Sequence, residues 1–159
     1  MARNKNQDAD GIKTICRNKR ALHDYEIHDT LECGVVLKGT EVKSLRESSA
    51  SLDGAYAKIE NGELWLIGSD IPEYSMGNKL NHKPKRPRKL LLHRREIAKF
   101  AGKASERGFT LVPLRIYFKN GLAKVEVAVA RGKQLHDKRE ATKKADAQKE
   151  IRRAMSRRG

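Results

Sequence analysis

The chain has 159 residues, 38% hydrophobic and 35% charged, with a formal net charge of +15 and a pI near 10.0. That length suits one domain plus an extension, and no run approaches the ~20 apolar residues of a membrane span. The composition excludes an integral helical membrane protein and points to polyanions as partners, nucleic acid first.

Residues 1–11 are polar, and 1–14 are expected to form a flexible N-terminus. From Tyr25 the pattern is strand-like, "YEIHDTL" and then "CGVVLKG", with Gly34 expected at a bulge or bend. "TEVKSLRESSA" favours a short helix, since Val42, Leu45 and Arg46 fall at helical spacing. "AYAKIENGELWLIG" reads as a hairpin, with Asn61-Gly62 supplying the two positive-φ residues of a type I′ turn. Residues 72–89 hold Pro72, Pro84 and Pro87 and form a long loop. "HRREIAKFAGKASERG" predicts a helix with Ile97, Phe100, Ala101 and Ala104 on one face and Gly108 as its C′ residue. "FTLVPLRIYFKNGLAKVEVAVA" predicts a second hairpin around Asn120-Gly121. About six short strands with two or three short helices suggest a mainly β fold, a small closed β-barrel of the OB type spanning 15–131. An open α+β sheet is the alternative.

The excess charge is concentrated. Residues 131–159 carry 11 basic and 4 acidic groups, almost half of the +15, and "KLNHKPKRPRKLLLHRR" (79–95) holds 8 Lys or Arg and no acid. Like charges so dense repel one another, and prolines restrict the loop that presents them, so phosphate binding explains the run better than a merely solvated surface. Aromatic residues make up only 5% of the chain. A single-strand binder needs stacking platforms. Recognition of a folded RNA by shape and phosphate contacts fits the supply.

Catalysis finds little support. There is no G-x-S-x-G, Walker A or H-E-x-x-H motif, and His136-Asp137 are neighbours in sequence without forming a base–orienter pair by that fact. Glu32, Glu41 and Glu47 are better read as solvated or RNA-contacting than as metal ligands. Cys16 and Cys33 are too few for a zinc site. No metal or cofactor is expected, and with no apolar leader the thiols are expected to be reduced, in a soluble cytoplasmic monomer.

The tail 132–159 cannot bury itself. Drawn as a helix it aligns Ala147, Ile151 and Met155. Burying Ile151 and Met155 yields ~1.5–3 kcal/mol each, whereas ordering the backbone costs ~1–2 kcal/mol per residue. The tail is therefore expected to be disordered when free and to fold on its target, with Lys143, Lys144, Lys149, Arg152 and Arg153 adding phosphate contacts.

Several blocks together resemble one family. "NKRALHDYEI" (18–27), "GTEVKSLR" (39–46), "RPRKLLLHRREI" (86–97), "LVPLRIYFKNG" (111–121) and "GKQLHDKRE" (132–140) stand in the order and spacing of the SmpB family, bacterial partners of transfer-messenger RNA. The resemblance runs from about Asn18 to Arg139 and more loosely to the end. Cys33 replaces the alanine usual before the glycine of the "E-x-G" element, and Ser48 to Ser51 lack the usual glycine and asparagine.

The resemblance implies an OB-fold barrel that binds the tRNA-like domain of transfer-messenger RNA, with elongation factor Tu reached through the RNA. It implies delivery to ribosomes stalled on messages without a stop codon, where the nascent peptide is tagged for proteolysis. Glu32, Leu90 and His93 match RNA-contacting positions, and His23 and Tyr25 lie in an "H-x-Y" element. Asn18, Lys19 and Arg20 are phosphate-contact candidates beside them, and Lys43, Arg46, Arg86, Arg88 and Lys89 complete the expected RNA surface. Asp137, Lys138 and Arg139 match a "DKR" motif of the decoding centre on the small subunit, led by Gly132, Lys133 and His136. Ile151, Arg152, Arg153 and Met155 are the expected contacts of a helix in the empty mRNA channel. The competing readings are a ribosomal or assembly protein and an RNA-cleaving or RNA-modifying enzyme.

Overall fold

Elements follow in the order β1 (Ile12–Arg17), α1 (Lys19–Asp24), β2 (Tyr25–Val35), α2 (Gly39–Arg46), β3 (Tyr56–Glu60), β4 (Glu63–Ile67), β5 (Arg88–Leu91), α3 (Arg94–Ala104), β6 (Phe109–Lys119), β7 (Leu122–Gly132) and α4 (Leu135–Arg158). The computed structural model describes residues 11–47, 49–77, 80–106, 108–133 and 135–158, and their side chains except those of 135–141 and 157–158. The fold is mainly β, an antiparallel seven-stranded sheet with four helices.

The Asn-Gly pairs set the two hairpins. Asn61 and Gly62 have φ of 53° and 73°, and Asn120 and Gly121 have 50° and 82°. Such turns match the right-handed twist of the strands they join. The β3–β4 register runs from Tyr56 opposite Ile67 to Glu60 opposite Glu63. In the longer hairpin Phe109 stands opposite Arg131 and Lys119 opposite Leu122, with a register shift between Pro113 and Arg115. Proline has no N–H for the ladder, and such residues sit at bulges.

Hydrogen-bonded neighbours run β1-β6-β3-β4-β5-β2-β7, and β6 also pairs with β7. The path from β6 through β3, β4, β5, β2 and β7 thus returns to β6, and the β3–β6 step is made at Ala57 and Leu111. The enclosed core collects alternate residues of these strands: Cys33, Leu64, Leu66, Leu90, Ile116, Val125, Val127 and Val129 are each 2% exposed or less. Leu45 of α2 and Phe100 of α3 join them. Full burial of each such side chain is worth about 1.5–3 kcal/mol, and this is where the stability of the domain resides.

Several features differ from the expectations, among them the loop read as 72–89, which ends where β5 begins at Arg88. Ile12–Arg17 is a strand paired with β6, so order begins inside the stretch read as flexible. Residues 25–35 form one strand: the register shift lies between Ile27 and Asp29, and Gly34 serves a different purpose, since a Cβ there would lie 3.3 Å from the Leu91 Cβ. Gly34 is the point at which β5 closes onto β2. The third helix ends with Ser105 as its C-cap, so Gly108, at φ 88°, is not its C′ residue. Residues 135–158 form a helix of 24 residues, the shape expected of the tail on its target. Its sequence contains no Gly or Pro between Leu135 and Arg158 and is rich in Ala, Lys, Arg and Glu, the best helix formers.

The loop between β4 and β5 is held at several points. Ile71 N–H donates to the Pro84 carbonyl at 3.0 Å, Tyr74 and Asn81 bond reciprocally, and the buried His82 bridges Thr40 Oγ1 (2.9 Å) and the Ile71 carbonyl (2.8 Å).

Candidate nucleic-acid interface

The first group of expected contacts is built around α1. Asn18 caps this helix: its Oδ1 accepts from Ala21 N–H at 3.2 Å, its Nδ2 donates to the Pro113 carbonyl at 3.0 Å, and the residue is 5% exposed. Losing such a cap costs about 1 kcal/mol. Asn18 therefore fixes where Lys19 and Arg20 project, both exposed, and is not itself open to a phosphate. The His23 ring lies 2.9 Å from Asp24 Oδ1 through Nδ1 and 3.4 Å from Thr142 Oγ1 through Nε2. Tyr25 packs on Ala21, Val112 and Ala130.

The basic loop divides in two. Arg88 is 0% exposed, and its guanidinium donates to Glu41, the Ser69 carbonyl and hydroxyl, and the Pro84 and Arg86 carbonyls. Glu41, also 0% exposed, accepts in addition from Lys38 N–H at 2.7 Å and from Arg86. Burial alone pushes the Glu41 carboxyl up, but Arg86, the Lys38 N–H and Arg88 together hold it below the ordinary carboxylate range. Arg88 is thus no RNA contact, and Glu41 is neither solvated nor a metal ligand. An arginine dense in charge along the sequence became the buried partner of an acid 47 residues away. Arg86 is half-buried in the same cluster, with a side chain 22% exposed. Lys83, Lys85, Lys43 and Arg46 are exposed, and Lys89 pairs with Glu63 at 2.9 Å.

Strand alternation corrects a second assignment. Leu90 is 1% exposed and belongs to the core, whereas Leu91, its neighbour, is 50% exposed. Leu91 borders a cleft of about 430 Å³ with Gly34, Val35, Leu122 and Lys124. On the same outer face, the Tyr117 hydroxyl donates to Glu32 Oε2, and Lys119 Nζ lies 3.5 Å from that oxygen. The Tyr117 hydrogen bond first, then Lys119 and Lys124, hold the Glu32 carboxyl below its ordinary range against the upward push of burial. Tyr117 is pushed up, chiefly by burial and then by Glu32. Leu91, Tyr117, Lys119 and Lys124 were absent from the expected contacts. The signal for them was register: Gly34 stands opposite both Leu91 and Lys124, next but one to Glu32 along β2. His93 is exposed, as the N-cap of α3.

The third group lies where β7 passes into α4. Gly132 closes the ladder opposite Tyr25, and Lys133 donates from its N–H to the Asp24 carbonyl (2.8 Å) and from Nζ to the Leu22 carbonyl (3.2 Å). A lysine on the last carbonyls of a helix is favourable in both charge and hydrogen bonding. The start of the tail is therefore tied to α1. His136, Asp137, Lys138 and Arg139 lie on the first turns of α4, and their side chains are outside the described residues. Arg152 and Arg153 are exposed, as are Ile151 (56%) and Met155 (71%).

Among the described residues, no group of His, Cys, Asp and Glu is arranged to hold a metal. Burial pushes the Cys16 thiol up to about 11 and the Cys33 thiol up to about 12, so neither offers a thiolate near neutral pH. No described helix is long and apolar enough to cross a membrane.

Comparison with known proteins identifies the family. The chain is 58% identical over 159 residues to the SsrA-binding protein of Thermobifida fusca, covering 99% of each. It is 57% identical over 148 residues to that of Acidothermus cellulolyticus, covering 93% of each. A solved chain described as "tmRNA-SmpB: a journey to the center of the bacterial ribosome" matches with a TM-score of 0.65 at 48% identity, over 80% of this chain and 93% of its own. The model of the family described as SmpB protein matches residues 15–157. With a family match over nearly its whole length, the chain belongs to the SmpB family.

Proposed function

We infer that this chain is an RNA-binding adaptor of trans-translation: it binds transfer-messenger RNA and acts with it on the ribosome. The observation that carries this reading is identity above one half, over nearly all of both chains, to proteins named for binding that RNA. The protein catalyses no reaction in this reading and works in the cytoplasm. The returning path of strand pairings supports a small closed barrel of the OB type as its RNA-binding body.

Two surfaces divide the work. The tRNA-like domain meets the outer face around Glu32, Leu91, Lys119 and Lys124, together with Lys19, Arg20, His23, Lys43, Arg46, Lys89 and His93. The tail serves the small subunit, with Asp137, Lys138 and Arg139 at the decoding centre. Ile151, Arg152, Arg153 and Met155 then line the empty mRNA channel. Elongation factor Tu is engaged through the RNA. The α4 helix is marginal in the free chain and becomes fixed only on the ribosome, because helices without a buried face are held by local bonds alone.

The test is peptide tagging on ribosomes stalled at the end of a truncated message, with transfer-messenger RNA present. Tagging that depends on this chain is the expected result. Equal tagging without it, or no preference for the tRNA-like domain over ordinary tRNA and rRNA fragments, contradicts the reading.

A further inference from the structure

The outer face of β6, β7 and β2 carries one connected set of polar contacts. The Arg115 guanidinium lies 4.4 Å from the centroid of the Tyr117 ring, and its Nη2 is 3.4 Å from Glu126 Oε2. Tyr117 is only 1% exposed beneath this cover. In register it stands opposite Lys124, and Arg115 stands opposite Glu126. Its hydroxyl crosses β7 to reach Glu32, which pairs with Glu126 on the far side.

The recorded hydrogen bonds of the Glu32 carboxylate, among the described residues, both fall on Oε2, from Tyr117 and Lys119. Oε1 is left as an acceptor on a side chain 37% exposed. An ionised carboxylate only accepts hydrogen bonds, and it repels phosphate. Among lysines that face a polyanion, it is useful only to a group that donates. In RNA those groups are the 2′-hydroxyl and the N–H groups of the bases. One open oxygen suits one donor, whereas a paired fork would need both oxygens.

We propose that Tyr117 is the positioning residue that fixes the Glu32 carboxylate so that its open oxygen accepts from a single RNA donor, a 2′-hydroxyl or a base N–H. Lys119 and Lys124 take the phosphates on either side. This rests on the outer face of β2 being an RNA surface, and it adds which chemical group is read there and what orients the reader.

The test is a double-mutant cycle on binding to the tRNA-like domain of transfer-messenger RNA, using the full chain. Tyr117→Phe keeps the ring and loses the hydroxyl; Glu32→Ala removes the acceptor. Glu32→Ala should weaken binding about ten-fold and Tyr117→Phe about three-fold, with the double variant no weaker than Glu32→Ala. Among RNAs carrying single 2′-deoxy or single inosine-for-guanosine changes, one should lose affinity with the wild-type chain and lose none with Glu32→Ala. The kind of change that does so tells the hydroxyl from the base amino group. In the free protein, the Glu32 carboxyl titration followed by NMR should move up toward 4.5 in Tyr117→Phe, a change that a purely structural tyrosine would not produce.

Wild-type binding by Tyr117→Phe, an equal loss from it in the Glu32→Ala background, or an unmoved Glu32 titration overturns the positioning role. An RNA scan with no change coupled to Glu32 overturns the donor reading. Wild-type binding by Glu32→Ala removes the outer face from the RNA surface itself, and the underlying site assignment falls with it.

Discussion

The strand network and α4 hold their shapes by opposite means. Val127, Ala128 and Ala130 of β7 are each 0% exposed, and their strand is bonded on one edge to β2 and on the other to β6. Only a few residues further on, every described side chain from Thr142 to Ser156 is exposed. The first region has its conformation decided by buried area. The second, beyond the Thr142–His23 contact near its start, rests on i→i−4 bonds and good helix formers, which leave an isolated helix marginal in water. Lys133 stands at the junction, bonded back to α1 through both its N–H and its Nζ. The difference teaches that a change at a buried residue of β7 acts through folding and a change in α4 acts through a partner.

The sharpest way to break that contrast is truncation after Lys133. Cutting before Arg131 would remove the Tyr25–Gly132 and Glu26–Arg131 pairings of the sheet and confuse the two effects. The shorter chain should fold and bind the tRNA-like domain while peptide tagging is abolished. Joint loss of binding and tagging would erase the division. Asp137→Ala with Lys138→Ala and Arg139→Ala should repeat the truncation's effect on tagging with an unchanged thermal melt.

Next in size is a change within the strand network's polar support. Glu41→Ala leaves Arg88 charged and buried without its partner, a loss of about 3–5 kcal/mol, readable by denaturant unfolding. Electrostatics alone predicts the opposite for RNA, since removing an acid from a basic protein should strengthen binding. A weakened complex would therefore show that Glu41 acts by holding the loop.

Acid should undo the same cluster. The Glu41 carboxyl titrates below its ordinary value of 4.5 in the folded chain, as do Glu32 below 4.5 and Asp29, held first by Lys103, below 3.8. Each group thus contributes stability that is fully present above its ordinary value and is lost as pH falls through the depressed one. Denaturant midpoints should hold from neutral pH down to about 5 and then fall. An unchanged midpoint at pH 3 would contradict the role given to these carboxylates.

The smallest expected change in stability comes from α4. Ile151→Ala and Met155→Ala should alter unfolding free energy by no more than about 0.5 kcal/mol, while reducing tagging. A large stability loss would mean that the helix is docked in the free chain.

Much of this was legible in the residues, and the misses share a cause. Asn61-Gly62 and Asn120-Gly121 fixed both hairpins, because a type I′ turn is a local demand met by local residues. The helix around Phe100 followed from its period. Arg88 and Leu90 were misplaced because charge density and family blocks say which segment matters without saying which side of a strand faces inward. Burial of Arg88 depends on Glu41, and that pairing is long-range. Tyr117 was hidden for the same reason: its partner, Glu32, lies two strands away across β7. Helix α1 escaped notice because it is six residues long and owes its start to Asn18 bonding to Pro113.

Amide hydrogen exchange on the free chain and on its ribosome complex tests the central claim most directly. In the free chain the account predicts strong protection at Val125 to Ala130 and little at Thr142 to Ser156, with the latter rising markedly once the ribosome is bound. Protection of Thr142 to Ser156 in the free chain equal to that of Val127, or no gain on the ribosome, would contradict it.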